Sequence, residues 1–87
     1  MIWTLRYSKR ARKDAELLHS AGLGIKTGKL LAVLVENPFA NPPPYEKLSG
    51  ELSDMFSRRI NKQHRLVYEV LKKEKIVNIL KMWTHYE

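Results

Sequence analysis

Apolar side chains along this chain change their spacing several times, and each change marks a predicted element. Trp3, Leu5 and Tyr7 alternate at the strand period of two, so residues 1–7 are expected to form a strand. From Lys9 the pattern turns helical. Ala11, Ala15 and Leu18 fall at i, i+4 and i+7, widened by Leu17 and Ala21, and Ser8 is placed to cap the first turn. Gly22 and Gly24 end that helix, since glycine is the usual residue just past a helix end. A second helix is predicted over residues 25–36, with Leu30, Leu31, Leu34 and Val35 as its buried stripe. Asn37-Pro38 stops it, because the residue before a proline is pushed out of helical geometry. All 4 prolines lie within residues 38–44, an extended and stiffened crossover. Three more strands are then predicted, over residues 55–61, 65–71 and 76–84, joined by short polar connections that imply antiparallel neighbours.

The element order gives an α+β fold class: an N-terminal strand, a two-helix hairpin, then a mostly antiparallel sheet with the hairpin on one face. At 87 residues the chain has room for one core, so residues 1–87 are expected to form a single domain. Alternation also predicts faces. Leu66, Tyr68 and Val70 point one way, and Arg65, Val67 and Glu69 the other. On the last strand Val77, Ile79, Lys81, Trp83 and His85 share a side, which is assigned with Arg65 to the surface away from the helices.

Composition narrows the partners. With 16 Lys and Arg against 9 Asp and Glu, the chain carries +7, spread over both halves. That surplus favours a polyanion (nucleic acid, anionic lipid or an acidic protein), or is simply a solvated basic surface. Lys9, Arg10, Arg12 and Lys13 crowd the first turns of the first helix, where they oppose its dipole, so phosphate contact and plain solvation both remain open for them. The chain has 0 cysteines, which excludes disulfides and thiolate metal sites and is compatible with a reducing cytoplasm. The longest apolar run, Leu30 to Val35, is far short of the roughly 18 residues a membrane span needs, so no membrane partner is expected. His19, His64 and His85 show no metal-ligand spacing, and the glycines form no phosphate loop, so neither a metal nor another cofactor is expected.

An acid–base set remains: Glu46 after the proline segment, Arg59 and Arg65 on adjoining strands, and His85 and Tyr86 near the C-terminus. RNA scission needs little more. The 2′-hydroxyl is a built-in nucleophile, a carboxylate can take its proton, arginines can clamp the phosphorane, and an imidazole can protonate the leaving 5′-oxygen. Residue types alone leave a second reading open, in which Glu46 makes a surface salt bridge with Lys47 or an arginine and His85 sits at a frayed end.

The run L-S-G-E-L-S-D-M-F-S-R-R-I-N-K-Q-H-R-L-V-Y-E-V from Leu48 to Val70, the closing W-T-H-Y-E, the opening I-W-T and the N-P-F at Asn37 to Phe39 resemble the YoeB-type branch of the RelE superfamily of bacterial toxins. The resemblance runs essentially end to end. It implies a RelE-like, microbial-ribonuclease-like fold and the toxin half of a type II toxin–antitoxin system. It further implies an endoribonuclease that enters the ribosomal A site and cuts messenger RNA there. On this resemblance Glu46 is the general base, Arg65 stabilises the transition state, Arg59 binds phosphate, His85 is the general acid and Tyr86 orients the base. The basic helix carrying Lys9, Arg10, Arg12 and Lys13 would meet ribosomal RNA. The implied partners are an acidic antitoxin of the YefM/Phd type, the ribosome and mRNA, with pairing into a homodimer left open, and the implied location is the bacterial cytoplasm. Two departures stand out. Tyr45 and Lys47 flank Glu46 where the family often has proline, and Trp83-Thr84 precedes His85 where a basic residue is common, so base preference is not carried over. A non-catalytic RelE-like module that only binds RNA or an antitoxin is the alternative.

Overall fold

The computed structural model describes residues 2–48 and 54–83. The hydrophobic pattern becomes β1 (Thr4–Tyr7), α1 (Lys9–Ser20), α2 (Gly24–Glu36), β2 (Glu46–Lys47), β3 (Met55–Arg59), β4 (Arg65–Leu71) and β5 (Ile76–Lys81). The strands form one sheet in the order β1-β5-β4-β3-β2, antiparallel except where β1 runs parallel to β5. The expected α+β architecture is thus present, with both helices on one face. The bounds differ in places. β1 starts at Thr4, β3 stops at Arg59 and β5 at Lys81, each shorter than the alternation suggested. α2 starts one residue earlier at Gly24, and the pair Glu46–Lys47 adds an edge strand that no periodicity signalled. Two residues are too few to show a period. Among the described residues no helix is long and apolar enough to cross a membrane.

Local chemistry explains the helix ends. The Ser8 hydroxyl accepts from the Ala11 N–H at 2.9 Å, satisfying one of the orphan donors of the first turn. At the other end of α1, Gly22 takes φ 80°, a left-handed conformation that costs glycine nothing. There the Gly22 N–H reaches the His19 carbonyl and the Leu23 N–H reaches Leu18, closing a Schellman turn that aims the chain into α2. Asn37 ends α2 in an extended conformation, and its side-chain oxygen accepts from the Phe39 N–H at 2.9 Å.

The core lies between the helices and the sheet. Ala11, Leu18 and Leu34 meet Phe56, Leu66, Tyr68, Val70, Val77, Ile79 and Met82. The face assignment of β5 therefore needs correction. Tyr68 pairs with Ile79 and Val70 with Val77, so both β5 residues point to the helices and not to the Arg65 side. Val67, however, pairs with Lys81, leaving Leu80 as the extra residue of a bulge. A one-residue bulge reverses the alternation beyond it. Val77 and Ile79 before it, and Met82 after it, are all buried on the helix side, while Lys81 falls beside Val67 on the other face, as the sequence had suggested.

Helix α1 holds this bulge. The Ser8 hydroxyl donates to the Leu80 carbonyl at 2.7 Å, and the Ser8 N–H donates to Ile79 at 3.0 Å. The buried Asp14 carboxylate accepts from the Met82 N–H at 3.0 Å, with the Arg10 guanidinium 3.6 Å away. An acidic residue on the inner face of a helix is thereby matched to a backbone donor that the irregular strand end leaves unpaired.

Two substitutions test this coupling. Asp14→Ala strands the Met82 N–H in the core and should cost about 2 kcal/mol in urea unfolding, and Ser8→Ala about 1 kcal/mol. Substituting the exposed Glu16 by alanine should change stability by less than about 0.5 kcal/mol.

Candidate active cleft

A buried arginine sets the position of the residues that are candidates for the chemistry. Arg58, next to the last residue of β3, faces the helix side and is only 1% exposed. Its guanidinium donates to the Tyr68 hydroxyl at 3.1 Å, to the carbonyl of Pro43, and to the carbonyls of Pro38 and Ala40 at 3.0 and 2.9 Å. The Tyr68 hydroxyl in turn donates to the Pro38 carbonyl at 3.0 Å. A proline-rich segment has few N–H groups with which to pair itself, and this buried fork supplies donors from outside. The ring of Tyr45 lies 5.0 Å from the Arg58 guanidinium carbon, and edge-to-face contacts link Tyr45, Phe39 and Phe56. With Tyr45 turned inward, the next residue of an extended chain, Glu46, is turned out.

Register carries Glu46 the rest of the way. Glu46 pairs with Ser57, Ser57 with Val67, and Arg59 with Arg65, all on the face away from the helices. The Arg65 guanidinium donates through Nη1 to Glu46 Oε1 at 2.9 Å and to Ser57 Oγ at 3.3 Å. Ser57 is buried between them. Pro44, Tyr45, Glu46, Ser57, Arg59 and Arg65 line one cleft of about 310 Å³. Arg59 and Arg65 stand directly opposite across two strands, an arrangement of like charges that costs stability unless an anion offsets it. Glu46 does so in part, and the cleft remains positive by one charge.

The exposed Glu46–Arg65 ion pair belongs to both readings that residue types left open. Beside it lie a second arginine, a buried hydroxyl and a concave floor. Such a set can grip a phosphodiester with two guanidinium forks and keep a carboxylate beside it.

The predicted site residues divide three ways. Glu46, Arg59 and Arg65 come together. Lys9, Arg10, Arg12 and Lys13 are all exposed on α1, on the opposite side of the sheet, and none lines the cleft. His85 and Tyr86 lie outside the described residues. The chain up to Trp83 does return to this region: the Trp83 ring stacks on His64 at 4.0 Å between centroids, and His64 immediately precedes Arg65. Ser57 and Arg58 were missed. Ser57 carried a usable signal, since it sits two residues before Arg59 and must share its strand face. Arg58 carried the same signal, since it falls between Phe56 and Ile60 at the strand period and so shares their apolar face; its partners carried none.

Burial raises the pKa of the Tyr68 phenol above its ordinary value, with the Arg58 guanidinium opposing the shift. The folded chain therefore holds that proton where the unfolded chain gives it up. The stability this contributes is complete below about pH 10 and is lost as pH climbs through the raised value.

Two measurements follow. Burial also raises the pKa of Tyr7, so alkaline titration at 295 nm should show late ionisation that shrinks by one tyrosine in Tyr68→Phe, the lost part being the one coupled to loss of structure. Arg58→Lys keeps the charge but not the fork, and should destabilise the protein by at least about 3 kcal/mol in urea unfolding by leaving buried carbonyls unmatched.

The chain as a whole is similar to known proteins. Residues 7–86 match the model of the YoeB-like toxins of bacterial type II toxin–antitoxin systems. Toxin YoeB of Mycobacterium bovis is 41% identical over 58 residues, and the match spans 67% of this chain and 66% of that relative's length. The structure of a YoeB/ParE toxin from Agrobacterium tumefaciens superposes with a TM-score of 0.84 at 27% identity, covering 95% of this chain and 99% of that one. The chain superposes equally broadly on one chain of a heterotetrameric YoeB–YefM toxin–antitoxin complex from Staphylococcus aureus. There the TM-score is 0.79 at 28% identity, covering 99% of this chain and 100% of that chain.

Proposed function

Because the chain belongs to the YoeB-like toxins of bacterial type II toxin–antitoxin systems, we propose that it is an endoribonuclease that cuts messenger RNA in the ribosomal A site. The observation that carries this reading is the contact of Arg65 with both Glu46 and Ser57 inside a cleft that also holds Arg59. An arriving phosphodiester competes with Glu46 for the Arg65 guanidinium, and the exchange releases the carboxylate beside the sugar it must deprotonate. Glu46 then takes the 2′-hydroxyl proton, and the 2′-oxygen bonds to phosphorus. Arg65 and Arg59 balance the charge that builds on the phosphorane. The bond to the 5′-oxygen breaks as His85 protonates it, leaving a 2′,3′-cyclic phosphate. Tyr86 orients the base at the cut. What supports a role for the last residues is the stacking of Trp83 on His64, next to Arg65, with His85 two positions further along the chain.

The ribosome supplies what a small open cleft does not: a strand held in one conformation with its 2′-hydroxyl in line. The exposed cations Lys9, Arg10, Arg12 and Lys13 are suited to ribosomal RNA and not to the scissile strand, since α1 lies across the sheet from the cleft. The Staphylococcus aureus neighbour is a YoeB–YefM toxin–antitoxin complex, and an antitoxin of the YefM kind with acidic character would complement the charge of +7 here. The place of action is the bacterial cytoplasm, where the ribosomes are.

Glu46→Ala, Arg65→Ala and His85→Ala, expressed beside the parent in bacteria lacking an antitoxin, should restore growth that the parent arrests. With purified ribosomes and a translated message, each should slow A-site scission by about 10²- to 10⁴-fold. Equal growth of all four strains while folded protein accumulates would sink the toxin activity, and message binding without scission would leave only the non-catalytic module.

A further inference from the structure

The cleft continues past Arg59. That residue also lines a second groove of about 200 Å³, and Pro43 lines the groove just as its neighbour Pro44 lines the cleft. The groove has an apolar floor from Leu30, Val33 and Ile60 and a basic rim from Lys26 and Lys29. Lys26, Lys29, Leu30 and Val33 fall at i, i+3, i+4 and i+7, so one face of α2 presents them all. Both lysines are exposed, and no carboxylate lines the groove among the described residues. A flat apolar floor beside cations suits a nucleotide, whose base has a π-face and whose phosphate is anionic. An acidic amphipathic protein segment matches the same floor and rim, so these two features alone do not separate the occupants. Continuity through Arg59 favours the RNA strand proposed for the cleft.

We propose that this groove is a subsite for the nucleotide flanking the scissile phosphodiester, with its base against Leu30, Val33 and Ile60 and its phosphate held by Lys26 and Lys29. The assignment rests on reading the Glu46–Arg65 cleft as the RNA-cleaving centre. Arg59 is then shared between two consecutive phosphates, which explains why an arginine and not a shorter cation stands at the junction.

Binding of uncleavable 2′-O-methyl RNA, read by fluorescence anisotropy, tests this without relying on catalysis. The parent should bind a pentanucleotide more tightly than a dinucleotide. Lys26→Ala with Lys29→Ala should weaken the pentanucleotide about tenfold near 0.1 M salt, lower the slope of log K against log salt by about 1, and leave the dinucleotide within about twofold. The control, Lys72→Gln with Lys73→Gln, removes the same charge at the far end of β4 and should stay within about twofold of the parent for both RNAs. Pentanucleotide binding that ignores Lys26 and Lys29, or that falls equally in the control, overturns the subsite. So does a polyglutamate peptide whose binding needs the two lysines when the pentanucleotide's does not, since the groove is then a protein-docking surface. Parallel assays of message scission separate the two readings. If the parent cuts while its RNA binding ignores the lysines, only the subsite falls. If the parent cuts nothing, the proposed activity falls, whereas lysine-dependent pentanucleotide binding still marks the groove as an RNA site.

Discussion

A guanidinium taken out of water must find partners for its N–H groups or pay a desolvation cost of several kcal/mol. Arg58 finds them in the carbonyls of Pro38, Ala40 and Pro43 and in the Tyr68 hydroxyl. The dependence is mutual. The proline-rich crossover has carbonyls in excess of donors, and without a buried fork nothing would hold it against the aromatic cluster of Phe39, Tyr45 and Phe56. Everything at the cleft follows from that anchoring. Tyr45 is drawn in, Glu46 is turned out, and the two-residue strand β2 is laid along the edge of β3 in the one register that puts Glu46 opposite Ser57.

A second constraint acts at the other side of the sheet. β5 must give Val77, Ile79 and Met82 to one core, although an unbroken strand would send Met82 to the opposite face from the other two. The bulge at Leu80 resolves this, and α1 satisfies the polar groups it exposes through Ser8 and Asp14. The irregular end of β5 is the segment leading to Trp83, which packs on His64 beside Arg65. The same bulge that completes the core therefore aims the last described residues at the cleft end of β4.

Charge is used differently on the two faces. On the helix side a cation is buried with each of its three nitrogens bonded to a protein oxygen, a structural use of charge. On the open face Arg59 and Arg65 are set against each other across the strands, with Glu46 a partial counter-ion. A fold that tolerates opposed arginines at an accessible cleft stores a preference for an incoming anion. The neighbouring groove extends that preference along α2, where the lysines are paired with an apolar floor.

Local signals made much of this legible. Ser8 at the start of α1, Gly22 beyond its end, and Asn37-Pro38 closing α2 are all decided within a few residues, and each behaves as its chemistry dictates. The sheet face of Arg65 followed from alternation on an uninterrupted strand, and the family followed from motifs at Leu48 to Val70 and the closing H-Y-E. The roles of Ser57 and Arg58, the strand at Glu46–Lys47 and the inward turn of Val77 and Ile79 did not follow. Each depends on which residue lies opposite which across a sheet, and Arg58 contacts carbonyls that are up to 20 positions away. The sequence by itself determined the order of the elements, their caps and the types of ionisable group available. Tertiary structure alone decided which of those groups face one another, because a single extra residue at Leu80 reverses a strand and leaves no trace in composition or periodicity.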